Sequence, residues 1–414
     1  MSTNTFFCRN SENTVLKIVL TCLISFGLAV QILGFLFFTD GSAYSTNISL
    51  WLMLPSLFSF FIYRVITKKF FSTLASKLLL LFLSYVLIYA LTLSSDLSDI
   101  RGWLKICLYI LLYVYAIFFV MSSSEKVFDW LALALVFTTA FFAWATLFNT
   151  FVIEGGSFAY RAVRLTELGI WGLANLKNAL VSALYYGAIS IAALFYLFRV
   201  KSNSIKSLIL ISFVGLGLYV FFTYSRSVWM ALFFAYFIFF SIQYGNVKKY
   251  LALFLFVFLL FYIVVALGVF PGLEISLTYR DLIWKEWFSR LSSFWFLGEG
   301  PGAEFNVCID IVGRNCFNQA HNLYMQMTYE LGVIGLLLFL LLVFSLTVEG
   351  VKNLSSPYMS LGFSWLVYSL LAGLSSYHTV LTRPSVYWIV MWIPVGVIIY
   401  SIARNNKLMP KFKD

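Results

Sequence analysis

Two histidines, His321 and His378, and a few arginines set between long apolar runs are the side chains with the most chemistry to offer. An imidazole, with an ordinary pKa of about 6.5, can take a proton from a hydroxyl at neutral pH. His321 stands in Gln319-Ala-His321-Asn322-Leu-Tyr324, just ahead of an apolar run. Glu330 follows nine residues later in Tyr329-Glu330-Leu-Gly332. That separation is about 13 Å along a helix, so Glu330 is expected near membrane depth, either as a functional group or as an arginine's partner. Arg280 and Arg290 frame a segment rich in tryptophan. Arg226 sits in the short turn Tyr224-Ser-Arg226-Ser, and Arg161 and Arg164 precede Lys177-Asn178. A guanidinium is a rigid, always-charged fork suited to phosphate oxygens. One such arginine is a headgroup anchor; several beside one histidine are a cradle for a pyrophosphate. No D-x-D metal pair is present, since Asp96 and Asp99 are three apart and Asp310 stands alone. Walker loops, G-x-S-x-G elbows and zinc spacings are also missing, so neither a nucleotide site nor a metal cage is expected.

The elements that must position these groups follow from composition. Of 414 residues, 62% are hydrophobic and 11% charged, against about 45–50% and 25% in soluble chains. The apolar segments are continuous, which excludes the short alternating strands of a membrane barrel. The expected fold is an all-α polytopic membrane protein, a single integral domain over 1–414. Twelve spans are predicted near 15–38, 50–65, 78–94, 104–120, 128–148, 179–198, 205–223, 228–244, 250–269, 325–348, 359–373 and 387–403. The first follows Arg9 and Lys17 and is too long for a signal sequence, so it reads as a retained helix. With both termini in the cytoplasm, 17 of the 28 basic residues and 5 of the 17 acids fall on that side, the expected basic excess. This asymmetry accounts for the net charge of +11 without nucleic acid. The longer outward segments are 149–178 and 270–324, the latter between the ninth and tenth spans, and both histidines face outward.

Within 270–324, Trp284, Trp287, Phe288 and Leu291 recur at i, i+3, i+4 and i+7, which predicts a helix with that face in the headgroup layer. Gly298, Gly300 and Gly302 permit a tight turn and close approach. Cys308 and Cys316 share this outward loop and are expected to form a disulfide, whereas Cys8, Cys22 and Cys107 are cytoplasmic or within spans.

The run Arg280…Trp284…Gly298-x-Gly300…His321-Asn322-x-Tyr324…Glu330-x-Gly332-x-x-Gly335 resembles the O-antigen ligase/polymerase superfamily of bacterial inner membranes, most specifically over about 205–345. The resemblance implies a metal-independent glycosyltransferase without a cofactor, acting on the periplasmic face with an undecaprenyl-pyrophosphate-linked glycan as donor. It implies catalytic roles for His321, Arg280 and Arg226. Arg161, Arg164, Lys177, Asn178, Arg290, Asn322, Tyr324 and Glu330 are the candidate substrate-binding groups. Family ligases often carry His-x-His-Asn where this chain has Gln319, so two acceptors stay open: the lipid A-core for a ligase, another lipid-linked repeat unit for a polymerase. A transporter or flippase is the rival from another class, against which stand the charges mapping to span ends and the lack of internal repeats. A non-catalytic assembly scaffold is the third reading.

Overall fold

The computed structural model describes residues 4–93, 96–158, 162–168, 177–245, 249, 256, 279–310 and 314–405, with side chains from Thr14 onward. The helices are α1 (Asn4–Phe37), α2 (Gly41–Ile48), which continues through a π-helical turn at Ser49–Met53 into α3 (Leu54–Ile62), α4 (Arg64–Phe70), α5 (Leu74–Leu93), α6 (Leu97–Ser123) and α7 (Glu125–Phe148). They continue with α8 (Ala179–Arg199), α9 (Asn203–Phe222), α10 (Arg226–Tyr244), α11 (Arg280–Phe294), α12 (Leu323–Val351), α13 (Met359–Ala372) and α14 (Val386–Asn405). Among the described residues ten helical segments are long and apolar enough to cross a bilayer, and α13 is a shorter apolar helix. The chain is thus an all-α polytopic membrane protein. The expected ninth span, 250–269, lies outside the described residues except at Phe256.

The second span starts at Gly41, earlier than the hydropathy edge at 50. The Asp40 carboxylate caps it, accepting from the amides of Ser42 and Ala43 at 3.0 and 3.1 Å. Its polar first turns stay helical because Asn47 and Ser49 bond back to the carbonyls of Ala43 and Ser45. Hydropathy misses such a stretch because its polar atoms are satisfied within the helix itself. Asp96, Ser124, Asn178 and Asn322 cap α6, α7, α8 and α12 in the same way.

α14 is the hub. It is buried along nearly its whole length, with Trp388 and Trp392 fully enclosed, and it packs on α6, α8 and α13. Several large polar side chains inside are matched, as hydrocarbon favours. Tyr113 donates to Gln31 Oε1 at 2.7 Å, Tyr185 to the carbonyl of Ile32 and Tyr368 to that of Leu184. Close helix approach relies on small residues; a Cβ at Gly187 would lie 2.5 Å from the Tyr368 hydroxyl.

The connection between α11 and α12 has its own small core of Ile283, Trp287, Phe294, Phe305, Val307 and Ala320. The spacing 284-287-288-291 marks most of the covered face of α11, since Trp287 is buried and Trp284 and Leu291 pack on this core. Ile283, Trp287 and Phe294 turn inward, while Phe288 points outward with 64% of its surface exposed. The helix finds protein on that side, from the loop that follows it. The loop closes with an antiparallel hairpin, β1 (Val307–Asp310) and β2 (Arg314–Phe317), in which Cys308 opposes Cys316 and the two form the expected disulfide.

Candidate active site

α12 carries His321 at its start and is broken at Gly332, where φ is +64°. The break is an exchange of backbone partners with the glycine turn. In an unbroken helix the carbonyls of Tyr329 and Glu330 would accept from within the helix; here they accept from the amides of Glu299 and Gly300 at 2.7 and 2.9 Å. The Val333 amide donates to the carbonyl of Trp295 at 2.8 Å, and the Tyr85 hydroxyl to that of Leu331. Gly298 and Gly332 touch so closely that a Cβ on Gly332 would lie 2.1 Å from the Phe296 oxygen. Glu330, 5% exposed, completes the clamp by accepting from the Gly302 amide and from Gln326 Nε2, each at 3.0 Å. Its position is that of a fastener for the turn.

Fastened in this way, α12 and α11 together fix the backbone around His321. Trp284 Nε1 donates to the carbonyl of Ala320 and Trp287 Nε1 to that of Met325, both at 3.0 Å. Gln326 accepts from the Ala320 amide. Asn322 caps α12 through its side-chain oxygen and donates to the Leu374 carbonyl, while the Tyr324 hydroxyl donates to that of Leu370. Asn322 and Tyr324 thus hold the loop after α13 against the start of α12. That loop carries His378, and its Ser376 hydroxyl meets Ser227, next to Arg226, at 2.6 Å.

Three separate stretches meet here. His321 is half-buried, and its pKa lies below the ordinary value, first from loss of solvent and then from the charge of Arg280. Arg280 is depressed in turn by burial and by Arg226, and His378 is pushed down to about 4 by burial and by His321. Charge coupling thus runs from Arg226 through Arg280 and His321 to His378, linking the start of α10, the start of α11 and both loops around α12 and α13. The Phe317 ring, on the disulfide-linked hairpin, stands 5.8 Å from the His321 ring and 6.2 Å from Tyr279. Among the described residues the non-glycine positions with positive φ are Tyr224, Tyr279 and His321. Each lies at or within two residues of a coupled group, where backbone strain concentrates at functional sites.

The other expected contributors have different surroundings. Arg164 Nε donates to the Thr223 carbonyl at 2.9 Å, which places it on the turn carrying Arg226. Lys177 pairs with Glu167 at 3.0 Å and Asn178 caps α8. Arg290 pairs with Glu286 and reaches the Asn306 carbonyl, about 15 Å along α11 from Arg280. Arg161 lies outside the described residues. His378 is the member that the spacing argument left unassigned; its signal was that both histidines fall on one side of the predicted topology. Among the described residues no group of three His, Cys, Asp or Glu is placed to hold a metal ion.

At one end of the helical bundle two half-buried arginines thus lie close to a half-buried imidazole. Residues 211–340 match the O-antigen ligase domain family. The chain is also similar to an O-antigen ligase of Pseudomonas aeruginosa PAO1, at 30% identity over 237 residues, covering 56% of each chain. It therefore spans about half the length of the curated relative it matches. Both matches support the resemblance to the O-antigen ligase superfamily read from the sequence.

Proposed function

We propose that the protein is an O-antigen ligase that moves a glycan from undecaprenyl pyrophosphate to a hydroxyl of the lipid A-core. What supports this reading is the meeting of separate stretches: Ser227, next to Arg226, bonds Ser376 in the loop of His378, Asn322, next to His321, bonds that loop at Leu374, and Arg280 is close enough to lower the His321 pKa. That end faces the periplasm and both termini face the cytoplasm, the orientation favoured by the basic excess of the opposite loops. His321, kept neutral by its surroundings, takes the proton of the acceptor hydroxyl. The acceptor oxygen bonds to the anomeric carbon as the bond from that carbon to the pyrophosphate oxygen breaks. The electron pair leaves with undecaprenyl pyrophosphate, whose growing charge Arg280 and Arg226 stabilise. A single displacement inverts the anomeric centre. Arg164, on the same turn as Arg226, extends the cradle, and the resemblance adds Arg161, Lys177 and Arg290 along the donor's path.

The test is transfer in vitro with a defined lipid-linked donor and both acceptors, lipid A-core and a second lipid-linked repeat unit. Product on lipid A-core is expected. His321→Ala should lower its rate by about 10²–10⁴ while the protein remains inserted. Normal yield from that variant would overturn the mechanism, and product on the repeat unit alone would overturn the ligase assignment.

A further inference from the structure

A cavity of about 170 Å³, its surface largely apolar but edged by charged and hydroxyl groups, lies beside Arg383 and Pro384 in the segment that follows His378. Its walls are Ser45 and Ser49 on the second span, Lys105 and Tyr109 on α6, and Arg383 just ahead of α14. Both cations are exposed at its mouth. Among the described residues neither Lys105 nor Arg383 makes an ion pair; the pairs formed elsewhere are Lys177–Glu167, Arg199–Asp129, Arg290–Glu286 and Arg404–Glu125. The nearby acids are committed or set apart. Asp40 and Asp96 cap α2 and α6, Asp99 lies in the first turn of α6, and none of the three lines the cavity.

The walls are held in place. Tyr109 donates to Ser49 Oγ at 2.9 Å, and the Lys105 ammonium rests 5.2 Å from the Tyr109 ring centre. The segment bearing Arg383 is pinned on both sides, by Trp388 Nε1 on the Thr382 carbonyl and by Gln31 Nε2 on that of Ser385. Lys105 lies eight residues into α6, about 12 Å below its start, at a depth where a lipid phosphate is within reach. We propose that Lys105 and Arg383 form a phosphate-binding site for a lipid headgroup, separate from the His321 site. Two cations lining one cavity together with serine and tyrosine hydroxyls suit a tetrahedral oxyanion, and the place of Lys105 on a membrane-spanning helix favours a phosphate carried on acyl chains.

This inference stands apart from the proposed reaction, because its test needs no glycan donor. The full-length protein is placed in phosphatidylcholine nanodiscs doped with phosphatidic acid or with diacylglycerol, and bound lipid is read by native mass spectrometry. Retention of phosphatidic acid over diacylglycerol is expected. Lys105→Gln and Arg383→Gln should each weaken it roughly tenfold, whereas Lys105→Arg keeps it. Inorganic phosphate is the second probe: a lipid that resists displacement is recognised as a headgroup, and displacement shows the same pocket taking the free anion. A folded double variant that retains phosphatidic acid as the wild type does would overturn the site.

Discussion

The central charged clusters at the two ends of the bundle are built differently. At the end away from His321, opposite charges are matched. Asp129 accepts from the hydroxyls of Tyr196 and Tyr358 at 2.8 and 2.9 Å and pairs with Arg199 at 3.4 Å. The Arg199 guanidinium also lies 4.4 Å from the Tyr358 ring centre, and Glu125 joins Arg404 and Tyr400. This network ties α7, α8 and α14 to the start of α13. At the other end Arg226, Arg280 and His321 lie near one another, all of one sign when protonated, beside backbone held at positive φ. Pairing of the first kind stabilises a fold; like charges crowded in the second way disfavour one another's protonated forms, and the proposed reaction turns them toward an anion.

The largest expected effect breaks the comparison if it fails. Arg280→Ala should lower transfer by about 10²–10³, the usual consequence of removing one preorganised donor to a developing oxyanion, with little loss of thermal stability. An Arg280→Ala protein that unfolds in a melting assay would show that the crowded end is structural after all.

Next is the fastening of α12. Gly332→Ala places a methyl 2.1 Å from the Phe296 oxygen at a φ that side chains avoid. It should cost about 3 kcal/mol and lower both Tm and transfer, because the same exchange of backbone bonds fixes His321. Gly217, in α9, has nothing within 4 Å of an added Cβ, and Gly217→Ala should leave both unchanged. The matched end comes third. Asp129→Ala leaves two tyrosine hydroxyls and Arg199 without their acceptor, at a cost of about 2 kcal/mol. Tm should fall while transfer per folded molecule stays at the wild-type rate; a matching loss of transfer would mean that the two ends are not separable.

How much of this was legible beforehand differs between the same two ends. The spans could be read because a bilayer demands continuous apolar helices, and the Cys308–Cys316 bridge because both cysteines share one loop. The chemical candidates Arg226, Arg280 and His321 could be named from residue type. Their supports could not. Nothing in the spacing of Gly298 and Gly332 says that their backbones exchange partners, since that contact joins residues on different elements. The α11 face was legible in part: the periodicity of 284-287-288-291 finds Trp284, Trp287 and Leu291 on the covered side, but Ile283 and Phe294 join it only because Phe305 and Val307 come from the chain beyond. Asn178, Asn322 and Tyr324, candidate ligands by residue type, also serve as caps and ties, which their letters do not announce. The Asp129–Arg199 pair joins residues 70 positions apart, a separation at which sequence pattern carries no pairing information.

The smallest expected effect sharpens the comparison most, because it reads the crowding itself. A base must be unprotonated to accept a proton, so the acid limb of the kcat/KM profile follows the pKa of the base in the free protein. Burial and Arg280 both hold His321 below its ordinary value, so transfer should persist as pH falls past about 6.5 and decline at a lower pH. Arg280→Gln removes one of the two causes and leaves the other. The limb of its residual activity should therefore move upward, toward the ordinary histidine value, without passing it. Asp129→Asn, at the matched end, should leave the limb where it is. A limb that moves with Asp129 and not with Arg280 would mean that the titrating base is not the imidazole beside the arginines.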